Sequence, residues 1–267
     1  MKNLEIPQQN NFLVRMPKSS EIRSQEDEYF TVISGDKEQV LKLHDYAKIY
    51  KIPGLYKHVL IDILDDQSPA TLSSLLLDQV SQAGGSMADL KVLDIGAGIG
   101  VSGRSLIENG VGCVIGLDIL SEAREASCRD LPDTYLDYYV ADLLELPEET
   151  RLALKSYQFN CLTCCSALTW HLPAKAFVEA FNLIADNSWI AFNVGQLKLD
   201  PEYSSNDDFY QFLQSAIANK IFQVNNIHHY QHRLSMNKQP IYYCAVVGRK
   251  KGDFLWPEDC HKINQKL

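Results

Sequence analysis

The chain has 267 residues, 46% of them hydrophobic and 22% charged, which is the composition of an ordinary globular protein with a substantial core. Its formal net charge is −9, and because nucleic-acid binders usually concentrate basic charge on one face, we expect no nucleic-acid partner. The N-terminus lacks the apolar stretch of a signal peptide, and no run of about 18 apolar residues predicts a membrane span. The seven cysteines show no framework spacing. We therefore expect a soluble cytoplasmic protein without a membrane partner.

The first third of the chain divides into a polar stretch and a helical one. Residues 1–36 are polar and without clear periodicity, which predicts an irregular N-terminal arm. From there on apolar residues recur at spacings of three and four, and breaks at Pro53-Gly54 and at 65–69 divide them into three predicted helices, the last over 72–80. The sequence thus indicates an N-terminal helical segment over residues 37–85.

Strand and helix patterns alternate after Leu90. The strands are short and apolar on both sides, which is typical of a parallel sheet covered by helices on both faces. Near the end two strands, IFQVNNIHHYQHRL and IYYCAVVGR, are joined by a short polar turn, which predicts an antiparallel pair closing the sheet. We therefore expect an α/β core over 86–252, followed by a C-terminal tail over 253–267.

The stretch DIGAGIGVSG, residues 94–103, fits two glycine fingerprints. Read from Gly96 it is G-x-G-x-G, and read from Gly98 it is G-x-G-x-x-G, the pattern of dinucleotide-binding loops. A dinucleotide fingerprint needs its first glycine where the strand ends. Because Gly96 follows the predicted strand directly whereas Gly98 lies inside the loop, the position favours the frame that begins at Gly96.

Acidic residues at strand ends indicate which cofactor this loop meets. Asp94 stands two residues before Gly96, where a pyrophosphate would be repelled and a cationic group favoured. S-adenosylmethionine has an ammonium and a sulfonium and no phosphate. Asp118 ends the next strand, and a carboxylate there accepts hydrogen bonds from ribose hydroxyls in either cofactor. None of the thirteen tyrosines has a lysine four residues on, as a short-chain reductase would require.

These motifs, in their order and spacing, resemble those of the class I S-adenosylmethionine-dependent methyltransferases. The resemblance rests on VLDIGAGIG, IGLDIL, VADLLEL, FNCLTCCSALTWHLP and LIADNSWIAFNV, and it covers residues 88–250. It implies a doubly wound, Rossmann-like α/β fold with a seven-stranded, mostly parallel sheet whose last strand is antiparallel. It also implies S-adenosyl-L-methionine as the cofactor. The family's Lys-Pro-Gly-Gly turn before the fifth strand is replaced here by ADNSW.

The resemblance also implies positions that bind the cofactor. The methionine moiety would be lined by Asp94, Gly96, Ala97 and Gly98, and the ribose would be held by Asp118 and Ile119. Asp142 and Leu143 would flank the adenine, and Cys165 and Ser166 would border the cofactor from the other side. The segment LHDYAKIYKIPGLY is similar to the tyrosine-rich lid helix of family members that methylate small molecules. Tyr46 and Tyr50, which share a helix face, are expected to approach the cofactor's carboxylate, so the helical segment 37–85 is interpreted as an N-terminal lid.

The loop after the predicted fourth strand indicates the acceptor. It lacks the Asn/Asp-Pro-Pro-Tyr/Phe clamp of members that methylate bases or amide nitrogens, and with the acidic net charge this favours a small molecule. His171 in this loop is the candidate catalytic base, because an imidazole suits proton transfer at neutral pH. Its alternative role is to cap the next helix or to pack on Trp170, itself a candidate wall of the acceptor site. His44 in the lid segment is a second candidate base.

Two clusters resemble metal motifs in composition only. The cysteines of CLTCC fall in a predicted buried strand, where neighbouring side chains point to opposite faces and cannot easily converge on one ion. In HHYQH the alternation of a strand separates the second histidine from the other two. We therefore expect no metal site.

Together these observations predict an enzyme that transfers a methyl group from S-adenosylmethionine to an N, O or C nucleophile on a small molecule. Two alternatives stay open: an S-adenosylmethionine-binding regulator or partner subunit without turnover, and a protein methyltransferase, which an acidic surface permits. Alignment of the nucleophile with the methyl group can supply roughly 7–11 kcal/mol in the best cases. A base is therefore required only where the acceptor is not already nucleophilic.

Overall fold

The computed structural model describes residues 11–18, 24–204 and 206–256. Within these ranges the chain forms a small antiparallel sheet near its N-terminus and a larger mixed sheet flanked by helices. Parts of the predicted arm (residues 1–10 and 19–23) and of the predicted tail (residues 257–267) lie outside the described residues. The division of the chain at residues 36, 85 and 252 stays a prediction.

The N-terminal region contains strands where an irregular arm and the start of a helix are predicted. An antiparallel sheet is formed, in this order, by β1 (Leu13–Arg15), β2 (Tyr29–Ser34) and β3 (Lys37–Lys42). A tight turn at Gly35, whose φ is +58°, joins β2 to β3. The prediction of helix from residue 37 is therefore wrong over β3, as is that of an irregular arm over β1 and β2. The apolar spacing misled because Val40, which fits a helical stripe, is 65% exposed, while the hairpin pairs the backbone throughout.

Helices follow the N-terminal sheet, as the sequence predicts for this part of the chain. They are α1 (Tyr46–Ile49), a π-helical stretch (Lys57–Ile63) and α2 (Ser68–Gln82). The last of these contains the predicted helix 72–80 and has Pro69 in its first turn, where no intrahelical hydrogen bond is lost. The first two pack with the N-terminal sheet around Phe30, Leu41 and Leu43, which are buried. This part of the helical segment thus forms one small core with the strands before it.

The large sheet has the predicted architecture. Its strands are β4 (Lys91–Ile95), β5 (Cys113–Asp118), β6 (Asp137–Val140), β7 (Cys161–Cys164), β8 (Trp189–Gly195), β9 (Phe222–Leu234) and β10 (Pro240–Lys250). They lie in the order β6-β5-β4-β7-β8-β10-β9, with β10 antiparallel to both of its neighbours. The prediction of a seven-stranded, mostly parallel sheet with an antiparallel last strand is confirmed.

Helices cover both faces of this sheet. They are α3 (Val101–Glu108), α4 (Ser121–Asp130), α5 (Glu148–Ser156), α6 (Ala174–Leu183), α7 (Pro201–Ser204) and α8 (Asp208–Ala218). Alternate residues of β4 enter different cores: Leu93 and Ile95 pack on one side and Val92 on the other. The same alternation separates Cys161 from Cys164, so these two cysteines of CLTCC are buried packing residues on opposite faces.

The described part of the chain contains neither a cluster of metal ligands nor a membrane-spanning helix. In residues 11–18, 24–204 and 206–256, no group of three histidine, cysteine, aspartate or glutamate side chains is arranged to hold a metal ion. Among the helices of these ranges, none is long and apolar enough to cross a membrane.

The sheet order fixes where a ligand can bind. β4 pairs with β5 on one side and with β7 on the other, so the chain leaves β4 toward opposite edges of the sheet in the two halves of the fold. In open α/β sheets ligands bind at such a switch point, outside the carboxyl ends of the strands. The glycine-rich loop follows β4 at this point.

Candidate functional site

A cavity of about 410 Å³ lies at the carboxyl ends of β4 to β7 and is covered by the segment around α1. This volume is within the range of small-molecule sites, roughly 300–1,000 Å³. Of the residues that the sequence analysis proposes for the site, all but Asp94 line this cavity: His44, Tyr46, Tyr50, Gly96, Ala97, Gly98, Asp118, Ile119, Asp142, Leu143, Cys165, Ser166, Trp170 and His171.

The glycines of the loop divide into two that face the cavity and two that pack against protein. Gly96 and Gly98 line the cavity with φ of +61° and +53°, a left-handed conformation that disfavours other residues. A Cβ on Gly98 would lie 2.8 Å from the Tyr50 hydroxyl, and one on Gly103 would lie 2.6 Å from the Tyr135 ring. Gly103 is therefore a packing position of α3, and the frame that begins at Gly96 is the one that meets the cavity.

Asp94 lies behind the glycine loop and not on the cavity wall. It is fully buried, and its two carboxylate oxygens accept hydrogen bonds from the Tyr135 hydroxyl at 2.7 Å and the Thr163 hydroxyl at 2.6 Å. Burial raises the pKa of Asp94 to about 6, against the effect of these hydrogen bonds. The expectation that its side chain lines the methionine moiety is therefore corrected: Asp94 acts on the cavity through the loop that it supports.

Asp118 stands at the end of β5 with its carboxylate on the cavity. Its oxygens accept hydrogen bonds from the backbone N–H groups of Gly98 and Leu120, each at 2.9 Å. Burial raises the pKa of Asp118, and the backbone donors oppose that rise. Because each carboxylate oxygen can accept two hydrogen bonds, Asp118 can hold the loop and still receive two ligand hydroxyls.

The residues that follow β5 and β6 form a slot that is apolar except for the carboxylate of Asp142. The side chain of Asp142 accepts a hydrogen bond from the backbone N–H of Leu144 at 2.9 Å, which fixes the turn after β6. Leu143 is buried in the core below this turn, whereas Ile119 is 61% exposed at the cavity mouth. An apolar side chain that lines a cavity while remaining exposed is suited to covering a flat ligand.

Aromatic side chains of the N-terminal segment close the cavity from above. The rings of Tyr46 and Tyr50 are stacked, with centroids 5.7 Å apart, and Tyr56 packs against both. Burial raises the pKa of each of these hydroxyls, so all three are neutral donors at physiological pH. The Tyr50 backbone is fixed by a hydrogen bond from Arg129 on α4, which ties the cover to the cofactor side of the core.

The loop after β7 brings His171 to the same cover. Its ring lies 5.1 Å from that of Tyr46 and 5.5 Å from that of His44, and His44 in turn packs on Trp170. Burial lowers the pKa of His171 and lowers that of His44 to about 4, so both imidazoles are neutral at pH 7. His44 and Tyr46 of the predicted lid and His171 of the loop are thus neighbours. The role of His171 as a base stays a prediction.

The structure adds a buried polar network that the sequence analysis does not identify. His232 Nδ1 lies 3.1 Å from Asp66 Oδ1 and 2.5 Å from Ser68 Oγ, and Ser68 Oγ lies 2.8 Å from the Tyr230 hydroxyl. Asn193 on β8 donates to the same hydroxyl at 2.7 Å. Asp66 and His232 also line the cavity. The run HHYQH contains two members of this network, but their partners are far away in sequence.

The cation nearest the cavity is neutralised inside the protein. Arg233 donates from Nη2 to Glu28 Oε2 at 2.7 Å, and both side chains are almost completely buried. The other oxygen of Glu28 accepts from the backbone N–H of Met236 at 2.7 Å. Among the described residues that line the cavity, Arg233 is the single arginine or lysine, so the wall offers no uncompensated positive charge.

The fold is also found among solved structures, although no family model matches the sequence and no curated protein matches it significantly. The N-methyltransferase NodS from Bradyrhizobium japonicum, in complex with S-adenosyl-L-homocysteine, is similar with a TM-score of 0.51 and 10% identity, over 79% of this chain and 98% of that one. A putative RNA methyltransferase from Pyrococcus horikoshii has a TM-score of 0.49 and 16% identity, over 70% of this chain and 88% of its own. The likeness to NodS concerns the fold, and the chain has the fold of the class I methyltransferases.

Proposed function

We propose that this protein transfers a methyl group from S-adenosylmethionine to a small-molecule acceptor. The observation that carries the proposal is the charge of the cavity at the glycine loop: carboxylates at the strand ends, and no free cation among the described lining residues. A dinucleotide would bring a pyrophosphate beside the buried Asp94 with no arginine or lysine to balance it. A sulfonium and an ammonium are favoured in the same field.

The cavity fits the remaining parts of this cofactor. Gly96 and Gly98 have no Cβ atoms, which lets Ala167 and the Tyr50 hydroxyl pack directly against the loop beside the cavity. Asp118 has acceptor capacity left for the two hydroxyls of a ribose, and the slot formed by Ile119, Asp142 and Leu143 suits a flat base with polar edges. The cofactor, when bound, supplies a methyl group already activated by its positive sulfur.

The chain's own contribution is to bind, to align and to exclude water. The stacked rings of Tyr46 and Tyr50 lie over the loop, and the Tyr50 hydroxyl reaches Gly98, where it can donate to a carboxylate of the cofactor. Enclosure by aromatic side chains protects the sulfonium from water and strengthens each polar contact in the cavity. Methyl transfer is an in-line displacement, so alignment supplies most of the rate enhancement.

A small acceptor is favoured by the shape and charge of the molecule. The cavity is covered by the segment around α1 and by the loop that carries Trp170 and His171, and its volume of about 410 Å³ suits small ligands. The formal net charge of −9 opposes the binding of nucleic acid. An acceptor that enters this cavity is therefore a metabolite-sized molecule.

Transfer of a labelled methyl group tests the proposal. The protein is incubated with methyl-tritiated S-adenosylmethionine and a metabolite extract, and the label is followed into small-molecule, protein and RNA fractions. We expect label in the small-molecule fraction. Asp118→Asn should reduce cofactor affinity roughly 10- to 100-fold, because a charge-assisted hydrogen bond contributes about 1.5–3 kcal/mol.

The matched control for this variant is Asp137→Asn, since Asp137 is exposed at the opposite end of β6 and away from the cavity. Unchanged transfer is expected there. Label found in protein or RNA alone would contradict the small-molecule acceptor, and the absence of cofactor binding by the wild-type protein would contradict the proposed activity itself.

A further inference from the structure

The polar network around His232 lies on the acceptor side of the cavity. Tyr46 and Tyr50 cover the glycine loop, whereas Asp66, His232 and Tyr243 line the part of the cavity next to β9 and β10. β9 and β10 lie on the opposite side of β4 from β5 and β6, whose ends would hold ribose and adenine. A group in this region therefore faces the acceptor and not the nucleoside.

Nδ1 of His232 faces Asp66 and Ser68. Asp66 is 9% exposed, and although its burial alone would raise its pKa, the charge and hydrogen bond of His232 and the hydrogen bonds of Ser68 together lower it. Asp66 Oδ1 accepts a hydrogen bond from the backbone N–H of Ser68 at 2.9 Å and lies 3.1 Å from Nδ1 of His232, which also lies 2.5 Å from Ser68 Oγ. In the tautomer that carries its hydrogen on Nδ1, toward Asp66, the lone pair of the imidazole is on Nε2.

Nε2 of His232 is available to a ligand. Within residues 11–18, 24–204 and 206–256 no hydrogen-bond partner of Nε2 is found, and the ring lines the cavity. The ring is held flat by Tyr243, with centroids 4.0 Å apart and an angle of 25° between the planes. An imidazole whose Nδ1–H is held by a carboxylate and whose other nitrogen is free is the arrangement of a general base.

The surroundings restrict the charge and shape of the acceptor. Arg233 is paired with Glu28, so its charge is not left for an anionic substrate. His44 is neutral, because burial lowers its pKa to about 4. Three aromatic side chains, Tyr46, Trp170 and Tyr243, line the cavity as well. Such a site suits an uncharged planar ring.

We propose that His232 is the catalytic base that removes the proton from an uncharged aromatic hydroxyl, and that Asp66 is its positioning residue. This inference rests on the proposed methyl transfer. A phenol suits this base because its hydroxyl, like that of tyrosine, has a pKa of ~10. A neutral imidazole can accept that proton as negative charge develops on the oxygen. An aliphatic alcohol is far less acidic and is not expected to react.

The step balances without a further reactant. The phenolic proton moves to Nε2 of His232 while the oxygen forms a bond to the methyl carbon. The bond from that carbon to sulfur breaks, and its electron pair stays on sulfur. The products are an aryl methyl ether, a neutral thioether and the imidazolium of His232, which is stabilised by Asp66 and returns its proton to water.

Polar and charged groups from several elements surround His232. These are Asp66 and Ser68 from the N-terminal region, Tyr230 and Arg233 from its own strand, Tyr243 from β10, Glu28 through Arg233, and His44 across the cavity. The Arg233 charge is balanced by Glu28.

Two phenols and one alcohol separate base catalysis from binding. Wild-type protein is assayed with phenol, with the more acidic 4-nitrophenol and with benzyl alcohol, at a mildly acidic pH where both phenols are largely un-ionised. We expect transfer to both phenols and not to the alcohol. His232→Gln should lower kcat/KM for phenol roughly 100-fold or more and that for 4-nitrophenol clearly less, because a more acidic hydroxyl depends less on a base. His229→Gln, exposed on the same strand, is the matched control.

A second measurement is independent of turnover. Nitrogen NMR of the histidine-labelled protein should show His232 as the Nδ1–H tautomer, and Asp66→Asn should change that tautomer and lower the phenol rate. An Nε2–H tautomer, an equal loss for both phenols in His232→Gln, or refusal of both phenols by protein that binds S-adenosylmethionine would overturn the inference. Failure of the wild-type protein to bind S-adenosylmethionine in calorimetry would overturn the proposed function instead, and this inference with it.

Discussion

At the scale of single residues, two glycines allow protein side chains to pack closely against the loop after β4. Gly96 and Gly98 have positive φ, and a Cβ on either would meet a neighbour at 2.7 or 2.8 Å. The neighbour of Gly98 is the hydroxyl of Tyr50, which belongs to the cover. A side chain at position 98 would therefore affect both the backbone conformation of the loop and the packing of Tyr50 against it.

Gly98→Ala should lose cofactor affinity as well as stability. Gly35, in the β2–β3 turn, has nearly the same φ, +58°, but no atom within 4 Å of a Cβ, so Gly35→Ala is the matched control. Each substitution should reduce the free energy of unfolding by about 1–2 kcal/mol, the cost of a left-handed alanine. Urea unfolding and calorimetry measure the two effects, and equal cofactor affinity in both variants would contradict the assignment of Gly98 to the site.

Asp94 shows what a sequence can and cannot predict at this scale. Its place two residues before Gly96 correctly indicates an acidic group at the loop. Its hydrogen-bond donors, however, are 41 residues later in the chain at Tyr135 and 69 residues later at Thr163. A local pattern contains no information on such partners, and so it could not predict that the carboxylate is buried and hydrogen-bonded behind the loop.

At the scale of elements, a buried ion pair joins the N-terminal sheet to the core. Glu28 precedes β2 and binds Arg233 at the end of β9 and the backbone of Met236. It also receives the N–H of Leu43 on its backbone carbonyl at 2.8 Å. This contact positions the segment that continues into α1 and the tyrosine cover.

Glu28→Ala should therefore destabilise the protein strongly. Removal of one partner leaves the buried charge of Arg233 uncompensated, which costs about 3–5 kcal/mol. The control is Glu38→Ala, whose partner Arg15 is exposed with it, so that little change is expected. Urea unfolding measures both, and similar small losses in the two variants would show that the pair does not anchor the N-terminal sheet.

Two elements were not predictable from residue periodicity. The hairpin β2–β3 was hidden because Val40, Leu41 and Leu43 fit a helical spacing by chance, although Gly35 was a turn signal between two strands. In β9 a register shift opposite Ile241 and Tyr242 inserts one extra residue, so that His232 and Arg233, although consecutive, are both buried. A β-bulge re-aims side chains in this way, and strict alternation could not have indicated it.

At the scale of the whole molecule, the sheet order separates the part of the cavity expected to bind the cofactor from the part expected to bind the acceptor. The ends of β4, β5 and β6 carry the residues expected to hold the cofactor, and these were predictable because acidic and glycine residues follow each strand in a regular order. The acceptor side is built from β9, the region before α2 and the N-terminal cover. It brings together segments from both ends of the described chain, which is why the sequence indicated it least.

We expect this cavity to bind S-adenosylmethionine and not a dinucleotide, which calorimetric titration of the full chain measures. S-adenosylmethionine and S-adenosylhomocysteine should each bind at one site per chain, and NAD should give no heat of binding. The free ligand S-adenosylhomocysteine lacks the sulfonium charge, so tighter binding of the methyl donor at low salt would agree with the acidic field of the cavity. Binding of NAD without binding of S-adenosylmethionine would contradict the account.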